Sequence, residues 1–300
     1  MQTVTSSALI GLGILFGWPM QCHTPGGISV IADADRIRRY QASPTLFNGQ
    51  ECRFSYCTPE QGHPVDLVLV ATKATALDQA AKEIAPFVGP DTAIVSVING
   101  IASEEKLDAL YPGRVLWSVA LGMDATRTGR TLVCKARGCI QLGERDGSLT
   151  PRLQAAADYL TGCGIRVEVC TDILTKQWQK LMMNVGLNQA SAVFDLTYGG
   201  LRQPGPAQDA MMQAMHEVTA VAAKKGIALS DDAPEVWLRD MMPRFAADAM
   251  PSMRQDVLAH RPTEVEEFAG VICRLGRQYG VPTPVNDYFY RRLQEIQQSW

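Results

Sequence analysis

Hydrophobic spacing changes once along this chain, and that change limits the available folds more than any other feature. Up to about residue 170, strand-length apolar runs alternate with helix-like stretches. A run ends at Ile10, strands are expected over 28–32, 66–72, 92–98 and 114–121, and a helix over 74–87. That order argues for a parallel sheet covered by helices. Asn48-Gly49 in LFNGQECRFSY is the preferred two-residue turn of a hairpin. Further strands are expected within 131–142, a helix over 151–160 and a last strand over 165–170. From Asp172 onward only helical spacing remains, over 172–195, 206–225, 233–248, 252–261, 263–279 and 284–298. The expected organisation is therefore an α/β domain over 1–170 followed by an all-helical domain over 171–300.

At 300 residues and 46% hydrophobic content the chain can bury a sizeable core in each part. Its 28 basic and 31 acidic residues are interspersed, so charge gives no reason to expect a nucleic acid or an anionic membrane as partner. A small molecule is the expected ligand. The apolar stretch 8–20 is short, contains Pro19 and follows no basic segment, so it fits neither a signal peptide nor a membrane span. A cytoplasmic protein is expected. Eight cysteines without a Cys-x-x-Cys pair, and four histidines without helical ligand spacing, read as reduced thiols rather than a metal site.

The first strand leads into Gly11-Leu-Gly13, and the second ends near Asp33. In a dinucleotide-binding βαβ unit, glycines at such a turn let the backbone approach a pyrophosphate held at a helix N-terminus. The context suits a Rossmann-like domain, but the spacing departs from Gly-x-Gly-x-x-Gly, because Phe16 stands where the third glycine belongs. Pro19 also falls where the first helix should continue. A plain strand-to-helix turn is the alternative reading. Asp33 is placed to accept ribose hydroxyls, as in NAD sites, whereas Arg36, Arg38 and Arg39 could hold the extra phosphate of NADP.

In QKLMMNVGLNQ, Lys180, Asn184 and Asn188 recur every four residues inside an apolar helical run, forming one polar column. Such an ammonium either reaches solvent or faces a wet pocket, where it can polarise a carbonyl oxygen and deliver a proton. A solvated Lys/Asn stripe is the bland alternative. Later, Ser252 and Glu264 lie twelve residues apart, with Thr263 as a candidate helix cap. Lys73 and Asn99 each follow a predicted parallel strand, at the sheet edge where open α/β folds bind ligands.

Taken in order, Gly11-x-Gly13, Thr72-Lys73, Asn99-Gly100, WQKLMMNVGLN and SMRQD followed by TEVEEF resemble the ketopantoate reductase (2-dehydropantoate 2-reductase) family over nearly the whole chain. The resemblance implies an N-terminal domain that binds NADPH, ahead of NADH, and a helical domain that closes the substrate cleft. It implies reduction of a 2-keto acid to its hydroxy acid in pantothenate synthesis. By that resemblance Lys180 is the catalytic lysine and Glu264 its partner acid, with Asn184, Asn188 and Ser252 on the substrate. Gly11, Gly13, Lys73 and Asn99 fall to the cofactor, Asn99 also to the substrate, and Arg36 is the candidate for the 2′-phosphate. The glycine entrance is about three residues shorter than the family leads one to expect. Two other readings stay open: a reductase of another small 2-keto acid, and a non-catalytic nucleotide-binding regulator. A homodimer is an option that helical C-terminal domains often offer.

Overall fold

The computed structural model describes residues 3–11 and 13–300. The chain divides into two compact units, Met1–Ile173 and Leu174–Trp300. The first is Rossmann-like. Strand β1 (Ser7–Gly11) lies between β2 (Ile28–Ile31) and β6 (Val65–Ala71), all parallel, and β7 (Val88–Ser96) and β8 (Val115–Thr128) continue the parallel order. These strands are apolar on both faces because helices cover both. Leu67, Val68, Leu69 and Val70 are all fully buried.

Beyond β8 the sheet is mixed, with antiparallel and parallel pairs. β8 and β9 (Thr131–Gly143) form a long hairpin, and β9 then takes β3 (Thr45–Phe47), which pairs with β4 (Gln50–Cys52). The expected Asn48-Gly49 turn is there, with both residues at positive φ (49° and 82°), the backbone an asparagine and a glycine tolerate best. The short strands β5 (Tyr56–Cys57) and β10 (Val167–Val169) add to β2 and β9.

The first helix, α1 (Ile14–His23), runs through Pro19 rather than stopping at it. Phe16 and Met20 join Leu9, Ile28, Leu67 and helix α5 (Pro151–Gly162) in one buried cluster, and this burial offsets the backbone bond that proline cannot make. Helices α2 (Ala34–Ala42) and α4 (Ala102–Leu110) have no counterpart in the sequence reading. The helix expected over 74–87 is α3 (Leu77–Glu83) with a 3-10 turn on either side, Ala74–Ala76 and Ala85–Phe87.

The second unit contains helices and no strand among its described residues. Helix α6 (Ile173–Met183) continues through a π-helical stretch, Asn184–Asn188, into α7 (Gln189–Phe194). After α8 (Tyr198–Leu201) comes α9 (Pro206–Lys225), started by proline and stopped by Gly226 at φ 77°. It packs against the π-stretch at Gly186, where a Cβ would stand 2.5 Å from Met215 Cγ. α10 (Ala233–Asp240) and α11 (Ser252–Leu258) are shorter than their apolar spacing suggested, because Pro243 and Pro262 bar each helix from continuing. A second π-stretch, Glu266–Gly270, opens α12 (Val271–Tyr279), and α13 (Pro284–Gln298) completes the unit.

Candidate functional site

In the first unit the sequence-read residues gather at the C-terminal ends of β1 and β6. Gly11, Arg36 and Lys73 line one cavity of about 450 Å³, together with Thr72, Tyr40, Gln79, Glu83 and Arg127. That volume is within the usual range for a small-molecule site. Gly11 has φ 96°, and a Cβ on it would stand 2.4 Å from the carbonyl oxygen of Ala71. Glycine is needed here to let the end of β1 pass against the end of β6. Gly13 caps α1 and lines a much smaller neighbouring cavity, also bordered by Gly11, Tyr40 and Tyr56. Asn99 follows β7 and is not among the residues lining either cavity. It stands half-buried beside Gly100, whose φ is 98°.

The cavity wall suits a nucleotide with phosphates. Arg36, Lys73 and Arg127 contribute three cations against one carboxylate, Glu83. Thr72 Oγ1 is buried with no hydrogen-bond partner, which is costly unless a ligand supplies one. Arg36 itself is already engaged: its Nε lies 3.4 Å from Asp33 Oδ2 and its Nη1 3.9 Å from Glu83 Oε2. Asp33 caps α2 by accepting the Arg36 N–H at 2.7 Å. That bond holds the Asp33 carboxyl below the usual carboxylate range.

In the second unit the polar column sits on the first π-stretch and the end of α6. Asn184 and Asn188 are both buried, and Asn188 Nδ2 donates to Asn184 Oδ1 at 3.1 Å. Asn188 Oδ1 accepts from Ser252 Oγ at 3.2 Å and from the Met253 N–H at 3.1 Å. The structure thus joins Asn184, Asn188 and Ser252 in one chain of hydrogen bonds. Asn188 spends its oxygen on the start of α11, so its remaining free group is an N–H. Lys180, half-buried, stands in the last turn of α6. Glu264, also half-buried, precedes the second π-stretch, and its carbonyl accepts from the Glu267 and Phe268 N–H groups. Burial pushes the neighbouring Glu267 carboxyl up, and Glu264 and Glu266 add to the effect. Thr263 does not cap this segment; its N–H and hydroxyl both turn to Gln297 Oε1.

Arg127, Glu83 and Gln189 are among the residues of these arrangements that the sequence does not single out. Arg127 comes from the far end of β8, where nothing in the pattern ties it to the glycine entrance. Glu83 is on α3 four residues after Gln79, whose Nε2 donates to it at 2.9 Å, an ordinary helical pair by spacing alone. Gln189, fully buried, donates to Val185 O at 2.8 Å and to Asn286 Oδ1 at 3.3 Å, and accepts the Ala269 N–H at 3.1 Å. Its nearness to Asn188 in QKLMMNVGLNQ was the one available signal.

Comparison with known proteins places these units in context. The family description "Ketopantoate reductase PanE/ApbA" matches residues 29–147, and its C-terminal counterpart, "Ketopantoate reductase PanE/ApbA C terminal", matches 172–297. The 2-dehydropantoate 2-reductase of Vibrio cholerae is 27% identical over 286 residues, covering 94% of each chain. Among solved structures, a complex of D-mandelate dehydrogenase with NADH superposes with a TM-score of 0.85 at 21% identity, covering 98% of this chain and 99% of that one. The 2-dehydropantoate 2-reductase of Methylococcus capsulatus superposes with a TM-score of 0.83 at 24% identity, covering 98% and 97%.

Proposed function

The chain belongs to the ketopantoate reductase family, and we propose that it reduces a small 2-keto acid to the 2-hydroxy acid, with 2-dehydropantoate as the leading substrate and a nicotinamide dinucleotide as cofactor. The observation that carries this reading is the Asn184–Asn188–Ser252 network, two buried amides leading to an exposed hydroxyl and starting one helical turn beyond Lys180. A network of that kind holds amide and hydroxyl groups in fixed directions, which suits a polar ligand better than a solvated stripe would.

A reduced nicotinamide supplies a hydride to the keto carbon when it is bound. The Lys180 ammonium stabilises the negative charge that then builds on the ketone oxygen and gives up one N–H proton to it, so that the product is a neutral hydroxyl. Asn184 and Ser252 orient the substrate's hydroxyl and carboxylate, and Asn188 aligns both. Glu264 completes the polar wall as an acceptor for a substrate hydroxyl. In the first unit Lys73, Arg127 and Thr72 Oγ1 would hold the cofactor's phosphates, with Gly11 keeping the entrance open. Asn99 falls to the nicotinamide side by family likeness alone.

The test is oxidation of reduced cofactor by purified protein, with 2-dehydropantoate and with a panel of other 2-keto acids. Oxidation that depends on 2-dehydropantoate and is fastest with it supports the reading. Faster turnover of an aromatic keto acid would favour the second reading, to which the fold likeness to D-mandelate dehydrogenase lends support. Nucleotide binding without turnover of any keto acid would favour a regulator. For Glu264→Ala we expect KM for the keto acid to rise about tenfold with kcat nearly retained, the pattern of lost ground-state binding. An unchanged KM would remove Glu264 from the substrate.

A further inference from the structure

Arg36 was the candidate for the 2′-phosphate, and its surroundings argue against that role. Two carboxylates flank this one guanidinium: Asp33 at 3.4 Å and Glu83 at 3.9 Å. Asp33 follows the end of β2, the strand beside the one that delivers Gly11, which is the position where an acidic side chain meets the adenosine ribose of a dinucleotide. Its carboxyl is held ionised by the Arg36 N–H. Glu83 lines the same cavity with a side chain only 11% exposed, and its Oε2 has no hydrogen-bond donor. That oxygen is too buried to meet a ligand directly, but its charge opposes a phosphate carrying close to two negative charges beside Arg36.

We propose that this chain selects NADH over NADPH, with Asp33 and Glu83 cancelling the charge of Arg36 and the exposed Asp33, beside the cavity, offering an acceptor to an unphosphorylated ribose. The inference rests on the nicotinamide dinucleotide reading above and adds its specificity. Arg127 and Lys73 remain for the pyrophosphate, which both cofactors share.

The experiment is titration of the full chain with NADH and with NADPH, without keto acid, following the fluorescence of the reduced nicotinamide. NADH is expected to bind at least about tenfold more tightly. Asp33→Asn keeps the helix cap, because asparagine caps as well as aspartate, while it removes the charge. It should narrow the NADH preference by about tenfold, mainly through tighter NADPH binding. Glu83→Gln should move the ratio the same way, and melting temperature checks that both variants are folded. Tighter binding of NADPH by the wild-type chain, weakened by Arg127→Met with NADH unaffected, would overturn the proposal and give the 2′-phosphate to Arg127. An unchanged ratio in both acidic variants would also overturn it. Binding of neither nucleotide would instead overturn the dinucleotide reading itself, and this inference with it.

Discussion

Lys180→Ala is expected to lower turnover of the keto acid by two or more orders of magnitude while nucleotide affinity stays within about twofold. The size follows from the work assigned to this side chain. A positioned acid contributes about a hundred- to ten-thousandfold, and a cation at a developing oxyanion adds to that. Nucleotide affinity should hold because every residue lining the 450 Å³ cavity belongs to the first unit. Lys180→Arg separates the two contributions, since it keeps the charge but gives up its proton far less readily. Single-turnover kinetics beside nucleotide titration would check the expectation. Turnover near the wild-type level in Lys180→Ala would remove this residue from the reaction and return the column to a packing role.

Much of the fold is legible from apolar spacing, and the reason differs between elements. Helices α9 and α13 carry their own punctuation: proline at the first helical position of each, and Gly226 just past the end of α9. The strands β1, β2, β6 and β7 are legible as buried runs of Val, Leu and Ile. Helix α2 has no buried residue among its nine, so it leaves no apolar stripe to read. The second half of β8, to Thr128, is exposed and polar, and it is held by pairing with β9 rather than by burial. A pattern that detects burial cannot see it.

The candidate sites divide in the same way. The Lys180–Asn184–Asn188 column is legible because helical spacing puts polar groups on one face, and Asn184 and Asn188 do bond to each other. The cavity beside Gly11 is only half legible. Gly11, Arg36 and Lys73 lie at or just after strand ends and can be located by topology, but Arg127 reaches the wall from a hairpin 91 positions further along the chain than Arg36. Contacts set by chain return leave no mark on local spacing. Neither π-stretch could be read, because a 3.6-residue period is the premise of every helical pattern.

Those π-stretches underlie the second large effect, the loss of stability expected of Gln189→Met. In Glu266–Gly270 the backbone bond pattern skips a residue. Phe268 N–H bonds to Glu264 O and Gly270 N–H to Val265 O, which leaves the Ala269 N–H between them without a backbone acceptor. Gln189 Oε1 takes it at 3.1 Å. The Gln189 amide reaches Val185 O in the other π-stretch and Asn286 Oδ1, and Asn286 in turn donates to Glu217 Oε2 at 2.7 Å. One buried amide therefore ties both irregular segments to the start of α13. Methionine fills similar volume without these bonds, so the change isolates hydrogen bonding from packing. Leaving the Ala269 N–H and the Asn286 oxygen buried and unpaired costs about 1–3 kcal/mol each. We expect a loss of about 3 kcal/mol, seen as a fall in melting temperature of roughly 5–10 °C. A shift smaller than about 1 °C, by the same scaling, would mean that the π-stretch holds without its side-chain acceptor. The segments it holds carry Asn184, Asn188 and the approach to Glu264. If these form the substrate wall, Gln189→Met should also raise KM at temperatures where the variant is still folded.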